Sequence, residues 1–307
     1  MNSLFKPEEM TGVLPALISP LRADGQVDEA AVTRLVEHVI AGGVSGLLAL
    51  GSTGETASLD ETARRTLLSK VVAAAGGRVP VICGVAQSHL SAARTEIEAA
   101  ARLGASAALV APPFYYLMDQ PTLLAFYRSL AEDSPLPILL YNIPQYTKVV
   151  AHPDTVAALA REGTIVGIKD SSRDFEYFEG VCIATRALPR FRIFTGADTM
   201  LLPALAMGGA GTICGAANVA PAWIVRIYDD FQQGDMAGAR AGQDRLYQLV
   251  MMLRGGVFPA AIKAACHLQG ICEPWCAPPV APFDDQAEAK LRDRMAAWGL
   301  ITPAVPR

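Results

Sequence analysis

Lys169 ends a short apolar run and is the residue whose type and position most directly suggest chemistry. The run from Thr164 to Ile168 does not alternate with polar residues, which is typical of a strand buried on both faces. An ammonium group at the end of such a strand loses water, and this loss favours the neutral amine. A neutral amine can attack a ketone and form a Schiff base. The alternative is a lysine whose stem covers apolar surface while its charged head stays in water.

Small and polar residues follow the other apolar runs at the points where strands would end. The segments are Gly51-Ser52-Thr53-Gly54-Glu55, Pro112-Pro113-Phe114-Tyr115-Tyr116, Tyr141-Asn142-Ile143-Pro144, Gly196-Ala197-Asp198 and Gly215-Ala216-Ala217-Asn218. Each of them alone also fits an ordinary turn or strand end. In a closed parallel barrel all of these segments would lie on one rim, where active sites of such barrels are found. The sequence therefore predicts one site that draws on several strands.

The elements that must position these residues repeat along the chain. Each unit is a short apolar strand, a turn and an alanine-rich amphipathic helix, with a period of about 20–35 residues. The predicted strands are 13–19, 45–50, 79–83, 107–111, 137–141, 164–169, 191–195 and 211–214. Helical patterns between them include 153–161, 175–187 and 199–207. From Pro221 onward only helical patterns remain.

Alternating strands and helices predict a parallel sheet with right-handed crossovers. Eight such units favour an α/β fold of the (β/α)₈ TIM barrel type over an open doubly wound sheet. A dinucleotide-binding sheet would need a glycine-rich segment after the first strand, and Ser19-Pro20-Leu21-Arg22 stands there instead. We expect residues 1–233 to form the catalytic barrel and residues 234–307 to form a C-terminal helical region.

Composition excludes several classes of protein. The 307 residues are 51% hydrophobic and 18% charged, with a net charge of −4, so a nucleic-acid partner has no electrostatic support. No apolar stretch is long enough to span a membrane, and the N-terminus lacks a signal-peptide core, which favours the cytoplasm. Six cysteines and four histidines are dispersed, so we expect neither disulfides nor a metal site. The low share of charged residues indicates buried contacts between subunits.

The motifs Gly51-Ser52-Thr53-Gly54-Glu55, Tyr141-Asn142-Ile143-Pro144 and Gly167-Ile168-Lys169-Asp170, in this order, resemble the dihydrodipicolinate synthase / N-acetylneuraminate lyase superfamily of class I pyruvate aldolases. The resemblance runs from about Thr11 to about Ala220, and the helical tail fits too. It implies a (β/α)₈ barrel with a C-terminal helical domain in a homotetramer built as a dimer of dimers. It also implies a small 2-keto acid substrate and no cofactor.

The resemblance assigns roles to individual residues. Lys169 matches the lysine that forms an imine with pyruvate or a longer 2-keto acid, and Tyr141 matches the tyrosine that moves protons near that imine. Ser52 and Thr53 match the residues that hold the keto-acid carboxylate, and Thr53 and Tyr141 belong to a chain of hydroxyl groups. Tyr115 matches an aromatic residue that completes this chain from the adjacent subunit. We expect the other substrate contacts to come from Gly51, Ser171, Gly196, Asp198 and Ile213, although Asp198 could instead cap the next helix.

One departure bears on the substrate. In the true synthases of this superfamily an arginine two residues past the motif's proline holds the carboxylate of aspartate semialdehyde, whereas Tyr146 stands there in this chain. A phenol lacks the forked donors that bind a carboxylate. We therefore expect a lyase that cleaves or dehydrates a 2-keto-3-deoxy sugar acid or a related hydroxy-2-keto acid. The alternatives are the lysine-pathway synthase, which condenses pyruvate with aspartate semialdehyde, and a non-catalytic binding protein on the same barrel.

Overall fold

The computed structural model describes residues 6–302 and consists of a parallel barrel surrounded by helices. The strands are β1 (Gly12–Pro15), β2 (Leu47–Ala49), β3 (Val81–Val85), β4 (Ala107–Val110), β5 (Ile138–Asn142), β6 (Gly167–Asp170), β7 (Arg192–Thr195) and β8 (Gly211–Cys214). Every neighbouring pair is parallel, and β1 pairs with β8. A bridge between Ala16 and Leu48 joins the end of β1 to β2 and closes the sheet. The predicted (β/α)₈ barrel is confirmed.

Helices cover the outside of the barrel. Those between the strands are α1 (Glu29–Ala41), α2 (Glu61–Ala75), α3 (Leu90–Arg102), α4 (Gln120–Glu132), α5 (Pro144–Thr147), α6 (Pro153–Arg161), α7 (Phe175–Thr185) and α8 (Leu201–Ala206). After β8 come α9 (Pro221–Gln232), α10 (Met236–Leu253), α11 (Ala260–Leu268) and α12 (Asp285–Ala297).

Aspartates start many of these helices. Asp28, Asp60, Asp119 and Asp174 each accept a hydrogen bond from an N–H group in the first turn, which satisfies a donor that the helix leaves unpaired. Proline at the first position begins α6 and α9, where its missing N–H costs nothing. These local signals explain why the helix starts predicted from the sequence lie close to the observed ones.

Two apolar clusters hold the fold together. The larger lies between the strands and the surrounding helices, and the smaller fills the barrel interior with side chains such as Leu14, Leu48, Leu109 and Phe194. Because side chains alternate along a strand, every strand except β6 contributes to both clusters, and β6 contributes Ile168 to the outer cluster only. Tyr141 and Ile213 belong to the interior cluster, so the residues expected at the site extend the packed interior.

Some predicted boundaries were wrong. Strand β1 ends at Pro15 rather than at Ser19. Ala16 and Leu17 still donate to the neighbouring strands, and pairing stops at Ile18, whose N–H donates to the Asn218 side chain. The predicted helix 175–187 ends at Thr185, and a 3-10 turn (Asp198–Met200) precedes α8 where residues 199–207 were expected to form one helix. The short helix α5, which begins at Pro144, was not predicted.

The helices after β8 are tied to the barrel by specific contacts. In α10, the Gln243 side chain accepts from the Leu202 N–H and donates to the Asp198 carbonyl oxygen, at 3.0 and 3.1 Å. In α11, Gln269 donates to the Val219 carbonyl oxygen. A separate C-terminal unit beginning at residue 234 stays a prediction. In the described part of the chain, no helix combines the length and apolar character needed to cross a membrane.

Candidate active site

Lys169 lies on β6, beside Tyr141 on β5 and Phe194 on β7. The parallel register sets this arrangement, because the three residues are direct partners across the strands. Only 3% of Lys169 is exposed, and its Nζ lies 4.4 Å from the centre of the Tyr141 ring. Within residues 6–302 no carboxylate forms an ion pair with this Nζ. The amine therefore lies buried beside an aromatic ring, with its nitrogen free to react.

The neighbouring carboxylate, Asp170, forms no ion pair with Lys169 among the described residues. Asp170 accepts hydrogen bonds from the Asn142 side chain at 2.8 Å and from the Ser172 hydroxyl at 2.9 Å. Burial raises the pKa of the Asp170 carboxyl, and the bonds from Asn142 and Ser172 oppose that rise. Because neighbouring residues of a strand point to opposite faces, Asp170 organises the outside of β6 while Lys169 faces the interior.

Gly196 makes room for the lysine. A Cβ atom at this position would lie 2.0 Å from Ser171 Oγ and 2.8 Å from Lys169 Cε, far inside normal contact distances. No other residue type therefore fits here without displacing the Lys169 side chain. The resemblance implied a substrate contact at Gly196, and the structure adds this steric reason for the glycine.

Ser52 and Thr53 lie in the loop that follows β2. Ser52 Oγ is 3.5 Å from Tyr141 Oη, at the outer limit of a hydrogen bond, and Thr53 is buried. In the described chain, the Ser52 and Thr53 N–H groups donate to no backbone acceptor, whereas Gly54 N–H bonds to Gly51 within the turn. Free N–H groups and hydroxyls on one loop can hold a carboxylate without a full positive charge.

A buried ion pair anchors this loop to the C-terminal helices. Glu55 has a left-handed backbone with φ of 56°, and its Oε1 lies 2.5 Å from Lys263 Nζ in α11. The other carboxylate oxygen accepts from the Ala277 N–H at 2.6 Å, and Lys263 Nζ donates to the Trp275 carbonyl oxygen. The sequence analysis did not identify Lys263. The only feature that could have indicated its burial is its position inside an otherwise apolar helical stretch.

A cavity of about 410 Å³ opens at the carboxyl ends of the strands. Its walls include most of the predicted site residues: Ser52, Thr53, Tyr141, Tyr146, Lys169, Ser171, Gly196, Asp198 and Ile213. Gly51 lies instead on a neighbouring, mostly apolar cavity of about 480 Å³, which shares Ser52, Tyr141 and Tyr146 with the first. The structure thus gathers residues from five loops and strand ends into one site.

Tyr115 is the predicted catalytic residue that lies outside the cavity. It is 85% exposed on the loop after β4, with φ of 82°, and its ring packs edge-on against Tyr116. Within a single chain it therefore reaches none of the residues around Lys169. Its part in an adjacent subunit's site stays a prediction.

Asp198 joins two loops of the barrel rim and does not cap the helix that follows it. Its Oδ1 accepts from the Ala216 N–H at 3.0 Å, which joins the loop after β7 to the loop after β8. The alternative that it caps the next helix is wrong, because no side chain caps either the 3-10 turn at Asp198 or α8. Asp198 nonetheless lines the cavity, where it can meet a substrate.

Tyr146 lies on α5 at the cavity wall and is half-exposed. Burial raises the pKa of its phenol, the neighbouring Tyr141 adds to the rise, and the positive charge of Arg173 opposes it. Arg173 and Arg254 also line the cavity, and sequence reasoning identified neither. Arg173 stands only four residues past Lys169, which was an available signal, whereas Arg254 comes from α10 and gave none.

A buried lysine beside a tyrosine in a barrel-rim cavity is the arrangement expected of a lyase that forms a Schiff base. The sequence profile of the Dihydrodipicolinate synthetase family matches residues 9–297. The chain belongs to this family. No group of three or more potential metal ligands occurs in residues 6–302.

The relatives found by comparison are of two kinds. A protein of Hyphomonas neptunium named 4-hydroxy-tetrahydrodipicolinate synthase is 38% identical over 291 residues, which cover 95% of this chain and 99% of the relative. A Halobacterium salinarum protein described as an uncharacterized DapA-like lyase is 34% identical, with 96% of each chain covered. These names do not support the expected closeness to sugar acid aldolases.

Solved structures agree with the fold. Dihydrodipicolinate synthase from Thermotoga maritima superimposes with a TM-score of 0.92 at 29% identity and covers 95% of this chain and 99% of its own. YagE, a prophage protein of the same family from E. coli K12 solved in complex with pyruvate, gives 0.91 at 29% identity with the same coverage.

Proposed function

We propose that this enzyme forms an imine between Lys169 and pyruvate and joins the resulting enamine to an aldehyde, as a 4-hydroxy-tetrahydrodipicolinate synthase does with aspartate semialdehyde. The observation that supports it most is the Lys169 amine, which is buried, unpaired by a carboxylate, and 4.4 Å from the Tyr141 ring centre. The names of relatives that match almost the full chain support the choice of acceptor.

The first step is attack of Lys169 Nζ on the keto carbon, followed by loss of the keto oxygen as water. The imine carries a positive charge that withdraws electrons from the substrate, so C3 can lose a proton and become the nucleophilic carbon of an enamine. Tyr141 lies beside Nζ and next to Ser52 Oγ, so its hydroxyl can pass a proton between the substrate oxygen and the loop hydroxyls. The free N–H groups of Ser52 and Thr53 hold the carboxylate during these steps.

The enamine carbon then attacks the aldehyde, which forms a carbon–carbon bond and leaves an alkoxide that takes up a proton. Hydrolysis of the product imine returns Lys169 to its free amine. The reverse sequence cleaves a 4-hydroxy-2-keto acid, because the same imine accepts the electrons of the breaking bond. The residues of the cavity therefore support condensation and cleavage equally.

A second candidate function is cleavage or dehydration of a hydroxylated 2-keto acid, and Tyr146 favours it. Its phenol offers a single donor in place of the forked arginine implied for the true synthases, which suits a hydroxyl group better than a carboxylate. Ser171 and Asp198 add polar groups on the same wall. The two candidate functions therefore differ in the part of the substrate beyond the keto acid, which is an aldehyde that bears a carboxylate in the first and a hydroxylated tail in the second.

The deciding experiment compares kcat/KM on the two substrate sets, aspartate semialdehyde with pyruvate against a panel of 2-keto-3-deoxy sugar acids. We expect turnover of the first set. In a Tyr146→Arg variant, an added charge-assisted bond would raise kcat/KM for aspartate semialdehyde about tenfold or more if no other residue already holds its carboxylate. Turnover of sugar acids alone would overturn the synthase proposal and support the lyase.

An oligomer of four subunits and a cytoplasmic location remain predictions. One structural neighbour is described as the first monomeric dihydrodipicolinate synthase variant, so membership of the family does not by itself fix the number of subunits.

A further inference from the structure

Two arginines on the cavity wall have no place in the imine chemistry. Arg173 belongs to the loop between β6 and α7, and Arg254 ends α10, so elements distant in sequence bring the two guanidinium groups to one cavity. The remaining charged residues of this wall are Lys169 and Asp198. Two guanidinium groups thus share the cavity with one carboxylate.

Neither arginine is paired with a carboxylate among residues 6–302. In the part of the chain that the structure describes, Arg173 and Arg254 form no ion pair, and the one side-chain contact of Arg254 is a weak one to Met251 Sδ at 4.0 Å. Arginines elsewhere behave differently: Arg128 binds both carboxylate oxygens of Glu162, at 2.9 and 2.7 Å. The Asp198 carboxylate accepts from the Ala216 N–H and still opposes the charge of Arg254, but its single negative charge faces two guanidinium groups. This wall therefore carries more positive than negative charge and can attract an anionic ligand.

The two charges affect each other and their surroundings. Burial lowers the pKa of the Arg254 guanidinium, the charge of Arg173 lowers it further, and Asp198 opposes the shift. Arg173 also acts on Tyr146, whose pKa it holds down against the effect of burial. Like charges that share a cavity repel each other, and a bound anion between them removes the repulsion. Arg173 is moreover held at φ of 64°, a conformation that residues other than glycine adopt only at a cost in free energy.

We propose that Arg173 and Arg254 form a second anion subsite, which binds a carboxylate at the end of the substrate opposite its keto group. The proposal rests on the imine at Lys169. Ser52 and Thr53 hold the first carboxylate, so the preferred substrates carry two: dicarboxylic 2-keto acids, or pyruvate with an aldehyde that bears a carboxylate. Arg173 lines the same cavity as Tyr146, so it can supply the charge that an arginine at position 146 would bring. A neutral polyhydroxy tail leaves both arginines unpaired.

The test is an internal competition at Lys169. The full-length enzyme is mixed with equal concentrations of 2-oxoadipate and 2-oxohexanoate, which have the same chain length but end in a carboxylate and a methyl group. Borohydride traps both imines, and mass spectrometry gives the ratio of the two adducts on the Lys169 peptide. Charge-assisted hydrogen bonds predict a preference for the diacid of about tenfold to a hundredfold. Because both adducts form on the same molecules, the ratio does not depend on how much protein is folded.

Three variants and one control complete the experiment. Arg173→Gln and Arg254→Gln should each lower the diacid preference about tenfold. Arg173→Asn should have the same effect, and it is included because asparagine adopts the left-handed backbone of this position more readily than glutamine does. Arg102→Gln, on the exposed face of α3, should keep the wild-type ratio. The pair 2-oxoglutarate and 2-oxopentanoate repeats the comparison at a shorter length.

The outcomes separate this inference from the proposed function. Equal adducts of the two acids in the wild-type enzyme, or a preference that survives both arginine substitutions, would overturn the anion subsite while leaving the imine intact. Absence of any adduct would instead refute the imine. In that case calorimetry would measure the affinity of the wild type and of the arginine variants for 2-oxoadipate and for 2-oxohexanoate. Equal affinities of the wild type for the two acids would refute the subsite as well.

Discussion

Two lysines are buried in this protein, and their surroundings differ in a way that explains which one can react. Lys169 is 3% exposed on β6, and Lys263 is fully buried in α11. Lys263 Nζ contacts the Glu55 carboxylate and donates to the Trp275 carbonyl oxygen, so two oxygen atoms hold it in place. Lys169 Nζ has an aromatic ring for a neighbour and a cavity in front of it.

Burial alone therefore does not make a lysine a nucleophile. Lys263 is held by a carboxylate and a carbonyl oxygen, and it serves as a structural link between the β2 loop and α11. The Lys169 amine has no anionic partner in the described part of the chain and faces the cavity, so its nitrogen can reach the carbonyl carbon of a bound substrate. The predictions that follow test this contrast from both sides.

The largest expected effect is that of Lys169→Met. Removal of the amine removes the imine, so we expect turnover to fall to the background rate. Because the lost group was buried without an ionic partner, the free energy of unfolding should stay the same or rise. Steady-state kinetics with pyruvate and aspartate semialdehyde measure the first effect, and urea unfolding measures the second. Turnover above one hundredth of the wild-type rate would show that another residue carries the reaction.

The matched substitution Lys263→Met should act in the opposite sense. It leaves the Glu55 carboxylate buried without its partner, and such a loss costs about 3–5 kcal/mol of unfolding free energy. The folded fraction should keep far more activity than Lys169→Met does. A double variant with Glu55→Gln should recover part of the stability, because the glutamine oxygen can still accept from the Ala277 N–H. If the double variant is no more stable than Lys263→Met, the ion pair is not the source of the loss.

The Tyr141→Phe variant tests the neighbour that distinguishes Lys169 from Lys263. Loss of the phenol hydroxyl should slow turnover about a hundredfold or more, the usual size of an acid–base contribution, while borohydride trapping of the pyruvate imine remains measurable. Tyr177→Phe is the control, because its hydroxyl donates to the Ala151 carbonyl oxygen away from the cavity. Equal rates for Tyr141→Phe and the wild type would mean that another group moves the proton.

The smallest effect is predicted for a substitution that fills the space beside Lys169. Gly196→Ala would press its Cβ against Ser171 Oγ and Lys169 Cε, and such overpacking costs about 1–3 kcal/mol of unfolding free energy. Because Lys169 Cε must move, we also expect imine formation to become slower. Gly180→Ala in α7 meets only the Pro153 ring at 3.3 Å and should behave like the wild type. Adding Ser171→Ala to Gly196→Ala should relieve part of the strain. Unchanged trapping kinetics in Gly196→Ala would show that the lysine does not need this space.

The contrast between the two lysines also shows what sequence reasoning can reach. Lys169 was predictable, because an apolar β-branched run locates a strand and the barrel fold locates its carboxyl end. The same rule placed the segments that contain Tyr141, Ser52 and Thr53 on one rim, and the family resemblance selected these residues within them. The structure brings all three to one cavity. The eight strands were predictable for a related reason, since each has a local pattern that a turn terminates.

The contacts of Lys263, Arg173 and Arg254 could not be predicted in this way. The partner of Lys263 is Glu55, whose position in the chain is remote and whose motif suggests only a turn. Arg254 reaches the cavity through the packing of α10 on the barrel, which no local pattern encodes. Tyr115 illustrates a further limit, because a residue that is 85% exposed in one chain has a role at the site only if a second chain is present.

The most direct test of the account is to locate the adduct that pyruvate and borohydride leave on the wild-type protein. The protein is digested after labelling, and mass spectrometry compares the peptide that contains Lys169 with the one that contains Lys263. We predict an Nε-(1-carboxyethyl) adduct on Lys169 at close to one per chain and none on Lys263, although both lysines are buried. Labelling of Lys263, or an unlabelled Lys169 in active enzyme, would contradict the claim that the absence of an anionic partner selects the reactive lysine.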